Sequence, residues 1–260
     1  MTANKGQANN EVYKKIKTIL VSQPKPERSP YYELEKKYGL TIHWRKFIQV
    51  EPVHAREFRK FKIYPTDYTA IIFTSKNAID HFFRLMEEMR IAISQDLRYF
   101  CLTEAIANYL QKFILYRKRK VFVGIRKIED LATPLNKFKA SEKFLLPCSN
   151  LGAKDVCAYL DKHEFDWQDA LMYRTVSSDL SDLSDVTYDV LVFFSPLGIK
   201  SLFENFPDFE QRDTRMAIFG TSTSKAVEDR GLTINIKAPA PNVPSMTQAL
   251  ENYLRLSNKE

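Results

Sequence analysis

Two periods of apolar residues alternate along this chain. Short runs rich in β-branched and aromatic residues occur at 18–21, 41–50, 69–73, 98–102, 120–123, 143–146, 170–176, 189–194, 215–219 and 233–236, and each predicts a strand. Between most of them, apolar positions recur three and four residues apart, as in Ala78, Ile79, Phe82, Phe83 and Met86, or Ala105, Ile106, Tyr109, Leu110 and Phe113. That spacing predicts amphipathic helices. Strands that alternate with helices over short links imply crossover units, hence parallel sheets covered on both faces. The runs Ala70-Ile-Ile-Phe73 and Val190-Leu-Val-Phe-Phe194 are apolar throughout, as central parallel strands must be.

The pattern also repeats. Tyr68, Phe73, Ser75, Ile79 and Phe83 recur as Tyr188, Phe193, Ser195, Ile199 and Phe203, each pair 120 positions apart, as 68 is from 188. The following unit recurs too: Asp96-Leu-Arg98, a strand and a loop-helix at Thr103 match Asp213-Thr-Arg215, a strand and a loop-helix at Gly220. Earlier, Ile19-Leu-Val-Ser22 before a helix resembles Leu145-Leu-Pro-Cys148 before another. Three matches in order predict a duplicated lobe.

In open parallel sheets, ligands collect beyond the carboxyl ends of the strands. Here those ends are polar: Ser22-Gln23, Thr74-Ser75-Lys76-Asn77, Thr103-Glu104, Cys148-Ser149-Asn150, Ser195, and Gly220-Thr221-Ser222-Thr223-Ser224. Several open a helix, where unpaired N–H groups favour anions, although Ser, Thr and Asn also serve there as plain caps. With 39 Lys and Arg against 32 Asp and Glu, a net charge of +7 favours an anionic partner. The cluster Arg56, Arg59, Lys60 and Lys62 and the run Arg117 to Lys120 carry much of it, but no ribonucleoprotein or zinc-finger pattern accompanies them. Nucleic acid is therefore not expected as a partner.

Other chemistries find little support. No apolar run is long enough to span a bilayer, and 1–10 is polar, which reads as a tail and not as a signal peptide. The three cysteines, Cys101, Cys148 and Cys157, are odd in number and without CxxC spacing, which suits a reducing compartment. A cytoplasmic monomer is expected. His43, His54, His81 and His163 are scattered without ligand spacing, so no metal site is expected. Seven glycines supply neither a GxGxxG nor a P-loop, and the Gly220 loop lacks the inner glycine of a flavin phosphate cradle. No cofactor is expected, and any enzyme built this way works by positioning and hydrogen bonding.

Five segments then fall in order: Phe73-Thr-Ser-Lys-Asn-Ala-Ile79, Tyr173-Arg-Thr175, Phe194-Ser-Pro196, Ala217-Ile-Phe-Gly-Thr-Ser-Thr-Ser-Lys-Ala226 with Gly231-Leu232, and Pro244 to Leu250. Together they resemble the motifs of uroporphyrinogen-III synthases, over residues 19–254. The resemblance implies an α/β fold of two similar parallel-sheet, flavodoxin-like lobes, helices on both faces, joined by a two-stranded β-ladder. Lobe 1 would comprise 1–46 plus 176–260, lobe 2 the inserted 47–175, with 44–50 and 171–176 as connecting strands and a substrate cleft between lobes.

The resemblance also implies the chemistry. The substrate would be hydroxymethylbilane, a carboxylate-rich linear tetrapyrrole, dehydrated and cyclised with inversion of ring D. Tyr173 matches the family's tyrosine, either a proton donor to the leaving hydroxyl or a structural residue of the ladder. Ser75, Lys76, Asn77, Thr103, Ser195, Gly220, Thr221, Ser222 and Thr223 match substrate-binding positions. Arg215 matches a basic position before a strand, or packs by its stem. Departures at Ser22-Gln23-Pro24, Thr103 to Ala107, Leu146 to Ser149 and Gly220 to Thr223 leave a second reading: a non-catalytic two-lobe binding or sensor protein for an anionic metabolite.

Overall fold

The computed structural model describes residues 12–183 and 187–258. The stretch 1–10, expected to be a tail, lies outside the described residues. The chain opens with β1 (Thr18–Val21), α1 (Tyr31–Tyr38) and β2 (Thr41–Trp44). It continues through β3 (Ile48–Pro52), α2 (Ala55–Phe58), β4 (Ala70–Phe73), α3 (Lys76–Met89), β5 (Arg98–Cys101), α4 (Glu104–Leu110) and β6 (Val121–Val123). A 3-10 turn at Ile128–Leu131 leads to α5 (Ala132–Phe138), β7 (Phe144–Ser149), α6 (Lys154–Lys162) and β8 (Trp167–Ser177). The last part is β9 (Val190–Phe193), α7 (Pro196–Asn205), β10 (Arg215–Phe219), α8 (Thr221–Glu228), β11 (Ile234–Ala238) and α9 (Met246–Ser257).

Two compact units result: residues 1–49 with 176–260, and residues 50–175. In the first unit a five-stranded sheet runs β2-β1-β9-β10-β11, every neighbouring pair parallel. Counted along that unit's own chain the order is 2-1-3-4-5, the flavodoxin-like winding. Val190 and Val192 face α1 and α9, whereas Leu191 and Phe193 face α7 and α8. Both faces of the strand are thus dry, and VLVF is buried throughout.

The second unit carries a six-stranded sheet, β3-β8-β7-β4-β5-β6, with parallel pairs from β8 to β6. Its β8-β7-β4-β5-β6 part has the same winding as the first sheet, except that the strand–helix–strand piece β7-α6-β8 comes last in the chain and not first. Ile71 and Phe73 of β4 pack toward α3 and α4, and Ala70 and Ile72 toward α5 and α6. The duplication expected from sequence is therefore a duplication of structure: β4 and β9, and the starts of α3 and α7, are each 120 residues apart, as 70 is from 190 and 76 from 196.

One expectation fails. Residues 41–50 form two strands and not one: β2 pairs with β1 in the first sheet, while β3 lies beside β8 at the edge of the second. Trp44, expected on a connecting strand, belongs to β2 opposite Val21. The break is enforced at Phe47, which is 1% exposed and stands edge-on to Phe193 with ring centroids 5.1 Å apart. The Phe47 carbonyl accepts hydrogen bonds from the Ser178 N–H at 3.0 Å and from the Ser201 hydroxyl. A backbone pinned inward at Phe47 cannot continue the β2 ladder.

Candidate functional site

In the second unit, Ser75 ends β4 and caps α3, its Oγ accepting the Ala78 N–H at 3.0 Å. The cap satisfies one of the donors that a helix start leaves without a partner. The same Oγ lies 3.2 Å from the hydroxyl of Tyr173, which comes from β8. The two sites named from motifs 98 residues apart thus share a hydrogen bond. Tyr173 is 7% exposed and is part of the core formed with α3 and α4. Beyond it, Asn150 ties the end of β7 to β8, accepting the Thr175 N–H at 2.8 Å and donating to the Thr175 carbonyl at 3.2 Å.

The remaining residues of this unit occupy neighbouring strand ends. Thr103 ends β5 and caps α4, accepting the Ile106 N–H at 3.4 Å. Lys76 and Asn77 are exposed in the first turn of α3. The Lys76 ammonium stands 5.4 Å from the centre of the Tyr109 ring, and the Lys112 ammonium 4.5 Å from it. The Tyr109 hydroxyl donates to Asp80 at 2.7 Å, and that hydrogen bond raises the phenol's pKa. Two cations are so gathered at one aromatic ring near the strand ends.

A pocket of about 900 Å³ also reaches these ends, at Thr74 and Leu102, and carries Arg126, Lys127, Lys154 and Lys162 in its lining. Its loop is held by Asp130, whose carboxylate accepts the N–H groups of Ile125, Arg126 and Lys127 at 3.1, 2.7 and 2.9 Å. The backbone bonds, chiefly that from Lys127, hold this carboxyl below its ordinary pKa. The unfolded chain therefore takes up the proton first, so the stabilisation is full above the ordinary aspartate range and is lost as pH falls through the depressed value. Asp130→Ala is expected to lower the melting temperature at pH 7 by about 2–4 °C, the scale of one lost cap in a chain of this size. That difference should shrink on acidification below the aspartate range; a gap that stays constant with pH would show that the loop is held by something else.

In the first unit, Ser195 ends β9 and caps α7, accepting the Gly198 N–H at 3.3 Å. This is the Ser75 arrangement repeated, with one difference. A Cβ at position 198 would lie 2.9 Å from Cδ1 of Phe193, so glycine stands where α3 has Ala78. Gly220 precedes α8 with φ of 87°, a backbone conformation that side chains disfavour. Thr221 and Ser222 are exposed, but Thr223 is 1% exposed, which leaves its hydroxyl out of a ligand's reach.

Several sequence alternatives are now decided. Arg215 is buried, its Nε donating to the Tyr253 hydroxyl at 3.0 Å and its other nitrogens to the carbonyls of Asp213 and Val12. It ties the chain together at the amino end of β10, away from the polar strand ends. Cys148 is buried, and burial pushes its thiol up to about 11, far from the thiolate that nucleophilic chemistry needs. Another cavity, of about 660 Å³, is lined by Leu20, Phe47, Leu191, Phe206 and Arg212 and sits at the amino ends of β9 and β10. None of the candidate residues lines it. Among the described residues no three His, Cys, Asp or Glu side chains gather to hold a metal, and no helix is long and apolar enough to cross a membrane.

Sequence reasoning missed His81. Its ring stacks on Tyr173, centroids 4.8 Å apart and planes 16° from parallel. The signal available was its place on α3, in register with Ala78, Phe82 and Leu85 on the buried face.

These features define a doubly wound α/β protein made from a duplicated unit, with helix-capping hydroxyls at matching strand ends of both sheets. Residues 30–248 match the family model described as uroporphyrinogen-III synthase HemD. The chain belongs to the uroporphyrinogen-III synthase family. It is 22% identical over 258 residues to a uroporphyrinogen-III synthase of Chlorobaculum parvum, a match that spans 92% of this chain and 100% of the relative. Its fold resembles the crystal structure of uroporphyrinogen-III synthetase from Helicobacter pylori 26695, with a TM-score of 0.60, 18% identity, and coverage of 93% of this chain and all of that one. A mutant uroporphyrinogen III synthase from the extremely thermophilic bacterium Thermus thermophilus gives a TM-score of 0.56 at 14% identity, covering 92% of this chain and 99% of that one.

Proposed function

We propose that this chain converts hydroxymethylbilane to uroporphyrinogen III and water, inverting ring D as the macrocycle closes. The observation that carries this reading, given the family, is the contact between Tyr173 and the helix cap Ser75 at the polar end of β4. A phenol so placed can protonate the leaving hydroxyl of the bilane, which departs as water and leaves an electrophilic azafulvene. The substituted carbon of ring D then attacks it, and the resulting spiro intermediate reopens and closes with that ring reversed. The pyrroles supply the reactivity. The protein selects one closure by holding the chain, and positioning of this kind is worth about 7–11 kcal/mol.

The substrate's carboxylates are assigned to the helix starts after β4, β5, β9 and β10, that is to Ser75, Lys76, Asn77, Thr103, Ser195 and the loop Gly220, Thr221, Ser222 and Thr223. Backbone N–H groups and the helix dipole act there together. The test is to supply hydroxymethylbilane enzymatically and resolve the products. Type III uroporphyrinogen in excess over type I is expected; type I alone, at the rate of the protein-free reaction, would reject catalysis. Tight tetrapyrrole binding without turnover would favour the sensor reading instead.

The basic run Arg117 to Lys120 is assigned no part in this. Lys120 Nζ pairs with Asp96 at 2.7 Å and with the Gln95 carbonyl at 2.8 Å, and Arg117 donates to the Gln95 side chain at 3.2 Å. All lie before β5 and β6, at the amino side of the sheet. Replacing the four residues by glutamine should leave the type III rate unchanged. Abolished turnover, or duplex DNA binding by the wild type with a steep salt dependence, would contradict this assignment.

A further inference from the structure

We infer that His81 is a positioning residue for this reaction, its ring holding the Tyr173 phenol against Ser75. The inference rests on the reading of Tyr173 as proton donor. Ser75, Ala78 and His81 follow one another at three-residue steps from the start of α3, so all three lie over the same strip of sheet. Ser75 meets the hydroxyl of Tyr173 at 3.2 Å, and His81 covers its ring nearly face to face at 4.8 Å. One helix therefore fixes the phenol at both of its freedoms. The cap sets where the hydroxyl points, and the stacked ring prevents the aromatic plane from swinging away.

The ring holds this place at a cost. The Nδ1 atom of His81 is shut off from water and has no hydrogen-bond partner, a cost that a leucine or phenylalanine on this face would not carry. A proton on that nitrogen would be a buried donor with nothing to receive it. Burial lowers the imidazole's pKa, the nearby Arg84 lowers it further, and Asp80 opposes them. The guanidinium of Arg84 is itself taken up by Glu88 at 2.7 Å and by the Val53 carbonyl at 2.7 Å, and the Asp80 carboxylate by Tyr109.

The test compares His81→Ala, His81→Phe and Tyr173→Phe, singly and with His81→Ala added to Tyr173→Phe, by initial rates of type III formation from hydroxymethylbilane. His81→Ala should lower kcat by about fivefold or more with KM unchanged, since small misplacements of a reacting group are costly. His81→Phe, which keeps a ring in place, should restore most of the rate and guards against a folding defect. In the Tyr173→Phe background, His81→Ala should cost nothing more. Wild-type kcat in His81→Ala, an equal loss in both backgrounds, or no rescue by phenylalanine would each overturn the inference. If Tyr173→Phe itself runs at the wild-type rate, the assignment of Tyr173 falls and this inference with it; if only His81→Ala is fully active, Tyr173 stands and His81 alone is rejected.

Discussion

Tyr173→Phe is expected to slow type III formation by at least roughly tenfold while the protein remains folded, short of the ~10²–10⁴-fold of a positioned general acid because water can substitute. The change removes one oxygen. What it breaks inside the protein is the 3.2 Å contact with Ser75 Oγ, and Ser75 keeps its other role as acceptor of the Ala78 N–H. The ring and its stack on His81 survive, so tetrapyrrole affinity should change little. Ser222→Ala and Thr223→Ala should cost less, because the exposed Ser222 leaves its backbone N–H in place and the buried Thr223 offers a ligand no hydroxyl. The measurement is the isomer-resolved rate at saturating and limiting substrate. A Tyr173→Phe variant as fast as the wild type would make the tyrosine a structural residue of its strand and leave the proton to water or to the substrate's own carboxyls.

The largest effect on stability is expected at Phe47. Its ring meets Phe193 edge-on within the core that also holds Leu20, Leu180, Leu191, Ile199 and Leu202, and its carbonyl receives Ser178 and Ser201. Phe47→Ala should destabilise the first unit by about 3–5 kcal/mol, the range for an aromatic truncated in a closed core. That is a large share of the roughly 5–15 kcal/mol that holds a domain together. The chain's two tryptophans fall one in each unit, Trp44 and Trp167, so urea unfolding can be followed in the first unit alone after Trp167→Phe. The expected result is a lower midpoint at unchanged slope. A loss below about 1 kcal/mol would mean that the site collapses around the missing ring and that Phe47 does not enforce the break between β2 and β3.

Much of this protein was legible along the chain because the forces that write it are local. The strands at 18–21 and 215–219 have the bounds their apolar runs predict, and β4 and β9 fall within one residue of theirs. Ser75, Thr103 and Ser195 cap their helices because a short hydroxyl just before an amphipathic run can reach the free N–H groups without help from elsewhere. The repeat at 120 residues marked which strand ends are equivalent, and with the ordered motifs it indicated the family.

The tertiary structure decided what no local pattern encodes. Residues 41–50 contain no glycine or proline to break a strand, so nothing in them says that Phe47 turns inward and divides two strands between two sheets. The sheet orders, with the first strand–helix–strand piece of one winding placed last in the chain of the other, depend on which strands find each other over long separations. Tyr173 meets Ser75 across 98 residues and His81 across 92, as 81 is from 173, because β8, β7 and β4 lie side by side in one sheet. A lone histidine on a helix face carries no sign of the ring it will cover. Its partner is fixed only when folding brings α3 down over the strand ends, and burial there excludes the water that would otherwise have met its nitrogen.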